Sequence, residues 1–308
     1  MAVDTAAQPT PAHELPSSVK PTTTTKSNLD TITNNGFSVP RGPVTSTLQF
    51  FGGTTDGEEP YNFVEEPPAG KPQNNLTVAE HAVNISDLRS HEADFNIETN
   101  AFGALSSIPS AMSYTDWDDD ARIHHKYYPE VEQLLLNAVP GAHRVLLFDH
   151  TIRRTSPGAK RAPVNRTHID QTAKSAAQRV RFHITDEAEA EQLLAGRYRI
   201  INVWRPLNGP VVAHPLAVAD STTVPDADLI PTHHIYPDRT GETAAVRHSP
   251  AHRWWYWSGM QNDERLLLQC FDSQGTGARV PHTAFVDPRT PEGAPGRESI
   301  EVRALVFG

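Results

Sequence analysis

The stretch that decides the fold is Tyr198-Arg-Ile-Ile-Asn-Val-Trp-Arg-Pro-Leu-Asn-Gly-Pro-Val-Val-Ala-His-Pro-Leu-Ala-Val218. Its two apolar runs are rich in β-branched residues, and Pro, Asn and Gly separate them, a pattern typical of short strands joined by turns. Similar runs follow at residues 244–248, 253–257, 265–271 and 300–307. Many short strands with turn signals between them predict a barrel or jelly roll.

Helical periodicity appears on the N-terminal side of this β region. Residues 171–183 and 186–194 both have helical patterns, which predicts a helical insertion at about 171–195. A further helix is predicted over 118–138, followed by a buried strand at 144–149. We therefore expect a mainly β protein with flanking helices (α+β) and a double-stranded β-helix core of the jelly-roll or cupin-like type.

The first part of the chain differs from the rest in composition. Residues 1–44 are rich in Thr and Pro and contain few large apolar side chains, so burial cannot offset the entropy of ordering them. We predict a flexible N-terminal tail over residues 1–44, with tethering contacts left open. Residues 45–308 are predicted to form a single domain.

Charge and composition exclude several classes of protein. A formal charge of -10 without a basic cluster argues against a nucleic-acid partner. There is no apolar run long enough to cross a bilayer and no pattern of a signal peptide, so we expect no membrane partner and a cytoplasmic location. The single Cys270 agrees, because one thiol cannot build a disulfide framework.

His168-Ile-Asp170, with His282 far downstream, is the candidate metal set. Alternate residues of an extended segment point the same way, so His168 and Asp170 can reach one ion together. His282 lies late in the β region, where a neighbouring strand could supply the third ligand. Two imidazoles and one carboxylate hold three positions of Fe(II) and leave the others for a chelating cosubstrate and dioxygen.

Such iron chemistry also needs an anchor for the far carboxylate of an oxo-acid cosubstrate, and a guanidinium supplies it as a bidentate fork. Arg297 fits this role, with Ser299 on the same strand face as a second donor, and Arg303 shares that face as the rival anchor. Arg205, on the strand face opposite Trp204, is a further candidate for binding a substrate or cosubstrate carboxylate, or else a surface salt-bridge residue.

Weaker candidates have ordinary structural explanations. The aromatic stripe of residues 253–257 could line an apolar cavity, but core packing is the favoured interpretation. His248 and His252 lie near it and could replace a ligand of the set. Asp149 and His150 are adjacent and point apart in a strand, so they rank below the His-X-Asp pair. Residues 124–125, both histidines, are expected on a solvated or half-buried helix face.

Six ordered motifs carry a family resemblance, which begins at about residue 47 and continues to the C-terminus. They are Phe148-Asp-His-Thr-Ile-Arg-Arg154, His168-Ile-Asp-Gln-Thr172, Asn202-Val-Trp-Arg-Pro-Leu207, His252-Arg-Trp-Trp-Tyr256, Pro281-His-Thr-Ala-Phe285 and Arg297-Glu-Ser-Ile-Glu-Val-Arg303. Together they resemble the fungal hydroxylase/desaturase family typified by AsaB, with gibberellin desaturases and cephamycin CmcJ-type proteins as more distant members.

This resemblance implies a non-haem oxygenase that uses Fe(II), 2-oxoglutarate and dioxygen on small secondary metabolites. Carried over by position, His168, Asp170 and His282 are the iron ligands, and Arg297 or Arg303 is the 2-oxoglutarate anchor. The separation of His168 from His282 is larger than in most dioxygenases, and the helical insertion accounts for it.

We therefore expect a dioxygenase that oxidises an unactivated C–H bond by hydroxylation, desaturation or ring closure. Two alternatives remain open: a cupin-like protein that binds a metal or small ligand without turnover, and a zinc hydrolase, since two His and one carboxylate also hold catalytic zinc. The aromatic residues and Arg205 suit an apolar substrate with a carboxylate. A monomer or homodimer is expected.

Overall fold

Two β-sheets dominate the computed structural model, which describes residues 33–34, 36–155, 161–274 and 279–308. In chain order the strands are β1 (Thr33–Asn34), β2 (Phe37–Ser38), β3 (Val44–Thr54), β4 (Tyr61–Phe63), β5 (Leu76–Asp87), β6 (Phe102–Leu105), β7 (Arg144–Arg154), β8 (His168–Ile169), β9 (Tyr198–Pro206), β10 (Leu216–Ala219), β11 (Leu229–Ile235), β12 (Thr240–Val246), β13 (Trp254–Tyr256), β14 (Arg265–Asp272), β15 (His282–Ala284) and β16 (Glu298–Phe307). The α-helices are α1 (Ile97–Asn100), α2 (Asp120–Arg122), α3 (Tyr128–Ala138), α4 (Ala173–His183) and α5 (Glu187–Ala195). A π-helical turn, Ile123–Tyr127, joins α2 to α3, and short 3₁₀ turns lie at Glu92–Asp94, Tyr114–Asp118, Ser221–Thr223 and Asp226–Asp228.

In both sheets, many neighbouring strands come from distant parts of the chain. The major sheet has the order β3-β5-β13-β10-β15-β8-β12-β11-β4, and the minor sheet has the order β6-β14-β9-β16-β7. Within the named strands, pairing is antiparallel except for β4 with β11 and β5 with β13. The chain thus crosses repeatedly between two largely antiparallel sheets, and the predicted mainly β class with a jelly-roll core is confirmed.

β9 is buried along nearly all of its length because both of its faces are covered. Ile201 and Val203 pack into an outer cluster with Tyr127 and Leu135 of the helical segment. Trp204 points the other way, into the cluster between the sheets. Each such side chain contributes about 1.5–3 kcal/mol when fully buried. This double burial explains the nearly continuous apolar run of β9.

Helices α4 and α5 follow the first two candidate ligands and fix the chain behind them. α4 begins with a capping box in which Thr172 and Ser175 satisfy each other's backbone amides, two residues after Asp170. Asp186 caps α5 by accepting from the Glu189 amide. The helices pack on apolar side chains of both sheets, namely Ile169, Ile200, Ala244 and Leu305.

Several strands differ from the sequence pattern. The strand expected over 211–218 shortens to Leu216–Ala219, because Pro210 and Pro215 cannot donate hydrogen bonds to a ladder. Residues 45–100 were predicted as short strands or extended segments, and β5, with twelve residues, is longer than that prediction. In the described parts of the chain, no helix is long and apolar enough to cross a membrane.

The predicted tail lies mostly outside the described residues. Val39 and Gly42, which precede the predicted domain start at residue 45, already contact the rest of the structure. Val39 is buried, the Gly42 amide donates to Asp87 at 2.8 Å, and the Tyr256 hydroxyl donates to the Gly42 carbonyl at 2.6 Å.

Candidate metal centre

The three predicted metal ligands converge at one point of the major sheet. His168 on β8 is the direct partner of His282 on β15, and Asp170 follows β8. The Nε2 atoms of His168 and His282 lie 3.3 and 3.9 Å from the same oxygen, Asp170 Oδ1. The structure therefore brings together all three residues of the His-X-Asp…His set.

Backbone carbonyls orient both histidines. His168 Nδ1 donates to the Arg166 carbonyl at 2.8 Å, and His282 Nδ1 donates to the Val280 carbonyl at 3.1 Å. The Nε2 atoms of both rings are then left facing Asp170. Burial, reinforced by the nearby His168, lowers the pKa of His282 to about 4. A neutral imidazole is the form that ligates a metal.

The second oxygen of Asp170 is held by the minor sheet. Asp170 Oδ2 accepts from Asn202 Nδ2 at 2.8 Å and from Arg303 Nε at 2.9 Å. Although burial opposes ionisation, the charge of Arg303 holds the pKa of Asp170 well below its usual value. Oδ1 is thus presented to the histidines as part of a fixed carboxylate.

This donor set fits a divalent transition metal. Donor atoms on neighbouring corners of an octahedron with bonds of about 2.1 Å lie about 3 Å apart. The two Nε2–Oδ1 separations, 3.3 and 3.9 Å, are close to that spacing. His168 and His282 line the cavity between the sheets, so an ion held by the three donors would be accessible from that cavity.

Arg303 is fully engaged by protein groups. Besides Asp170, it donates to Asp149 at 3.0 Å, to Thr151 at 3.2 Å and to Glu301 at 2.6 Å. Although burial acts against the charge, the carboxylates of Glu301, Asp170 and Asp149 raise the pKa of Arg303 well above its usual value. Arg303 therefore positions Asp170 and has little capacity left for a cosubstrate.

Arg297, in contrast to Arg303, has few hydrogen-bond partners among the described residues. It is 2% exposed, its Nη1 donates to the His214 carbonyl at 2.8 Å, and its Nε has no hydrogen-bond partner among the described residues. Its guanidinium lies 5.3 Å from the centre of the Trp204 ring. Burial, together with the charge of Arg153, lowers the pKa of Arg297 to about 9. A buried cation with unused donors is suited to receive an anion.

A cavity between the sheets connects this arginine to the metal ligands. Its floor and walls combine polar groups with a few apolar side chains. The lining residues are Thr151, Arg153, Val164, His168, Trp204, Leu216, His282, Thr283, Ala284, Arg297, Ser299 and Glu301. Ser299 is buried beside Arg297, as the shared strand face predicted.

Arg205 lies away from the cavity, which corrects its prediction as a carboxylate-binding residue. Its guanidinium stacks on Trp117 at 4.8 Å and Tyr127 at 5.4 Å, and it donates to Ser110 at 2.8 Å. These partners belong to the outer helical layer. Since Trp204 lines the cavity, the alternation along β9 requires Arg205 to point outward.

The other histidine candidates also lie apart from the centre. His248 stacks on His81 with ring centroids 3.8 Å apart, and His252 bonds to Asp228 at 2.9 Å. Neither belongs to the converging donor set.

The aromatic stripe is core, as favoured from the sequence. Trp254 and Tyr256 are buried in the cluster formed with β3 and β5, and Trp257 is buried in the cluster between the sheets. None of the three lines the described cavity. The cavity aromatic is Trp204.

Sequence reasoning missed three polar residues of the site. Asn202 bonds Asp170, while Glu301 and Arg153 line the cavity. Burial raises the pKa of Glu301 against the opposing charge of Arg303. The alternation of β16 was a usable signal, because Glu301 shares the inward parity of Arg297 and Arg303.

Two histidines and one carboxylate around open metal positions are the ligand set of non-haem Fe(II) oxygenases, although the same set can also hold catalytic zinc. Comparisons with known proteins agree. An oxidoreductase/YMDC permease-like domain model matches residues 48–307. The hydroxylase/desaturase poxK of Penicillium oxalicum is 37% identical over 303 residues, covering 87% of this chain and 92% of that protein. The alpha-ketoglutarate-dependent dioxygenase phiK of a fungal species is 32% identical over 280 residues, covering 86% and 96%.

A solved structure shows the same fold. The iron and alpha-ketoglutarate-dependent endoperoxidase NvfI matches with a TM-score of 0.78 and 30% identity, over 87% of this chain and 99% of that chain. The chain belongs to the fungal hydroxylase/desaturase family of Fe(II)/2-oxoglutarate-dependent dioxygenases. The resemblance seen in the six motifs is confirmed, and with it the oxidoreductase class and the cofactor set of Fe(II), 2-oxoglutarate and dioxygen.

Proposed function

We propose that this dioxygenase oxidises an unactivated C–H bond of a small secondary metabolite, with His168, Asp170 and His282 as iron ligands. The observation that carries the proposal is the convergence of the three donors beside a cavity that also contains Arg297. A metal-binding protein without turnover has no need for a buried arginine with unused donors next to its ligands, and neither has a zinc hydrolase.

Arg297 is proposed as the anchor of the far carboxylate of 2-oxoglutarate, with Ser299 as a second donor. The buried guanidinium has free hydrogen-bonding capacity, and a carboxylate in that position would offset its desolvation. Arg303 is assigned a positioning role, because its donors already bind Asp170, Asp149, Thr151 and Glu301.

When bound, Fe(II) with 2-oxoglutarate and dioxygen supplies the oxidising power that removes hydrogen from carbon, with succinate and carbon dioxide as coproducts. The chain's own residues orient the reactants. The Arg166 and Val280 carbonyls hold the histidine rings, and Asn202 holds the carboxylate. Trp204 and Leu216 give the cavity apolar walls that exclude water. Hydroxylation, desaturation and ring closure are all outcomes that such a site can support.

An oxygen-dependence experiment tests this function. Purified protein with Fe(II) and 2-oxoglutarate is expected to form succinate under air and none under argon. Under argon, adding 2-oxoglutarate to the iron-loaded protein is expected to produce a visible charge-transfer band, because the cosubstrate chelates the metal. Absence of both signals would favour the binding protein, and turnover of an ester or amide without oxygen would favour the hydrolase.

For the substrate, we propose an apolar metabolite with a carboxylate that binds Arg153 instead of Arg205, which does not line the cavity. Arg153 lines the cavity on β7, opposite Ser299. Its Nη1 donates to the Ala162 carbonyl at 3.0 Å, and within the described ranges it has no salt bridge. Burial lowers the pKa of Arg153, so an anionic partner would relieve an unfavourable environment.

Arg153→Met is expected to remove a preference for acids over their esters. Small terpenoid and amino acids and their methyl esters serve as probes, and stimulation of succinate formation is the readout. The wild type should favour acids at least about tenfold in kcat/KM, which corresponds to about 1.4 kcal/mol, and Arg153→Lys should keep part of that preference. Arg205→Met is the matched control with an unchanged ratio. If Arg153→Met instead raises only the KM for 2-oxoglutarate, Arg153 serves the cosubstrate.

We also propose a single catalytic domain over residues 45–308 with the insertion at about 171–195, in a cytoplasmic enzyme that is a monomer or homodimer. The free and buried Cys270 supports a reducing compartment, because the sequence offers no second thiol to pair with it.

A further inference from the structure

A second group of metal-ligating side chains lies on the outer surface of the minor sheet. His150 is in the centre of β7, between Asp149 and Thr151, whose side chains bond Arg303 on the inner side. Because strand residues alternate, His150 points outward, toward the helical layer. There it meets Asp120 and His124.

The donor atoms of these three residues are close enough to share an ion. His150 Nε2 lies 3.5 Å from Asp120 Oδ1, and His124 Nδ1 lies 3.2 Å from Asp120 Oδ2. One donor atom from each residue lies within 4.8 Å of the others. His124 Nδ1 also lies 2.8 Å from the Asp120 backbone oxygen, so this ring has a local alternative partner.

Tyr128 orients both rings. Its hydroxyl oxygen lies 3.1 Å from His150 Nδ1 and can accept the Nδ1–H, which leaves the Nε2 lone pair toward Asp120. Its ring also packs against His124 with centroids 4.3 Å apart. An outer hydrogen-bond partner that fixes the tautomer is a common feature of histidines that ligate metals.

The backbone places the helical donors next to the strand. Asp120 and His124 are four residues apart, so they lie on one side of the helical segment. His124 is in the π-helical turn Ile123–Tyr127, and single π-turns are frequent at functional sites. Asp120 is 77% exposed and His124 is 50% exposed, while His150 is only 12% exposed. The group is thus open to solvent on one side and anchored to the sheet on the other.

We propose that Asp120, His124 and His150 form a second metal site, which binds Zn²⁺ and ties the helical layer to β7. Zinc accepts imidazole nitrogen and carboxylate oxygen in a four-coordinate arrangement, and the solvent side supplies a water as fourth ligand. The site is separate from the proposed catalytic centre, because β7 lies between them and presents Asp149 and Thr151 to the other side.

Zinc stoichiometry in a factorial set of variants tests the proposal. The full chain is dialysed against Zn²⁺, and bound metal is measured by atomic emission. Because two histidines and one carboxylate can also hold zinc, the proposed catalytic site is expected to bind it, so two ions are expected for the wild type, one for His124→Ala, one for His168→Ala and none for the double variant. His125→Ala is the matched control, with the same residue type in the same π-turn, and should retain two.

Thermal unfolding gives an independent readout. Saturating Zn²⁺ should raise the Tm of the His168→Ala protein by at least about 3 °C, and this rise should disappear when His124→Ala is added. Asp120→Asn, at a highly exposed position, repeats the test without risk to the core. An unchanged zinc count in both His124→Ala and Asp120→Asn would overturn the outer site and leave the group as an ordinary hydrogen-bonded cluster. Loss of an ion in His124→Ala but not in His168→Ala would support the outer site and contradict the catalytic ligand assignment.

Discussion

His168→Ala is expected to lower 2-oxoglutarate-dependent succinate formation at least about a hundredfold, because loss of even an outer partner of a ligating histidine costs about 10–100-fold. His168 Nε2 and His282 Nε2 both face Asp170 Oδ1. When the His168 imidazole is removed, His282 and Asp170 are left as a two-ligand set, which holds iron weakly and leaves its orientation free. Because the His168 side chain is 22% exposed and its backbone remains in β8, the fold should tolerate the change.

The experiment compares succinate formation and bound iron in three proteins. His168→Ala should lose both, while the wild type and His125→Ala should retain both. Circular dichroism of the three proteins should coincide, which separates loss of a ligand from loss of the fold. Equal succinate from His168→Ala and the wild type would contradict the assignment.

The three proposed metal ligands could be predicted from the sequence in part, because the geometry of His168 and Asp170 is local and follows from strand alternation. The two-residue period of a strand predicted that His168 and Asp170 share one face. In the structure, Asp170 Oδ1 lies near the Nε2 atoms of both His168 and His282. The pairing of His282 with His168 in the sheet is a long-range contact. The sequence located His282 in a late strand but contained no information about its register with β8.

The choice between the two arginines was beyond the sequence. Arg297 and Arg303 are predicted on the same face of the last strand, so strand alternation does not distinguish between them. What separates them is the set of carboxylates around each. Arg303 bonds Asp149 on β7 and Asp170, which follows β8, whereas Arg297 bonds only a backbone carbonyl among the described residues. Such partners depend on tertiary contacts that no local pattern reports.

Arg205 lies on the strand face opposite Trp204, but the sequence does not show which of the two faces lines the cavity. In the structure Trp204 faces the cavity, so Arg205 lies outside it. The outer helical layer was the missing element. Trp117 and Tyr127 provide a stacking surface there, and the π-turn that ends at Tyr127 cannot be distinguished from α-helix by periodicity.

Arg297→Met is expected to raise the KM for 2-oxoglutarate by about 30-fold or more, since truncating one partner of a buried hydrogen-bonded charge pair costs about 2–5 kcal/mol. The kcat at saturating 2-oxoglutarate should change much less, because an anchor for the far carboxylate acts equally in the ground state and the transition state. Ser299→Ala should have a smaller effect of the same kind, about tenfold, because it removes one hydrogen bond to a charged group.

Arg303→Met is the matched comparison for this anchor. It has the same residue type on the same strand face but leaves Asp170, Asp149 and Glu301 without their shared cation. We therefore expect weaker iron binding and lower thermal stability, with the affinity for 2-oxoglutarate restored at high iron concentration. The anaerobic charge-transfer band measures that affinity directly, without turnover.

The two arginine variants have opposite expected signatures, so the measurement decides between the two anchors. Weaker 2-oxoglutarate binding in Arg297→Met at full iron occupancy identifies the Arg297 guanidinium beside Trp204 as the anchor. If only Arg303→Met weakens the band at full iron occupancy, the cosubstrate must displace Asp149 or Glu301 from Arg303. In that case Arg303 would be the 2-oxoglutarate anchor, and the assignment of Arg297 from its burial and lack of carboxylate partners among the described residues would be wrong.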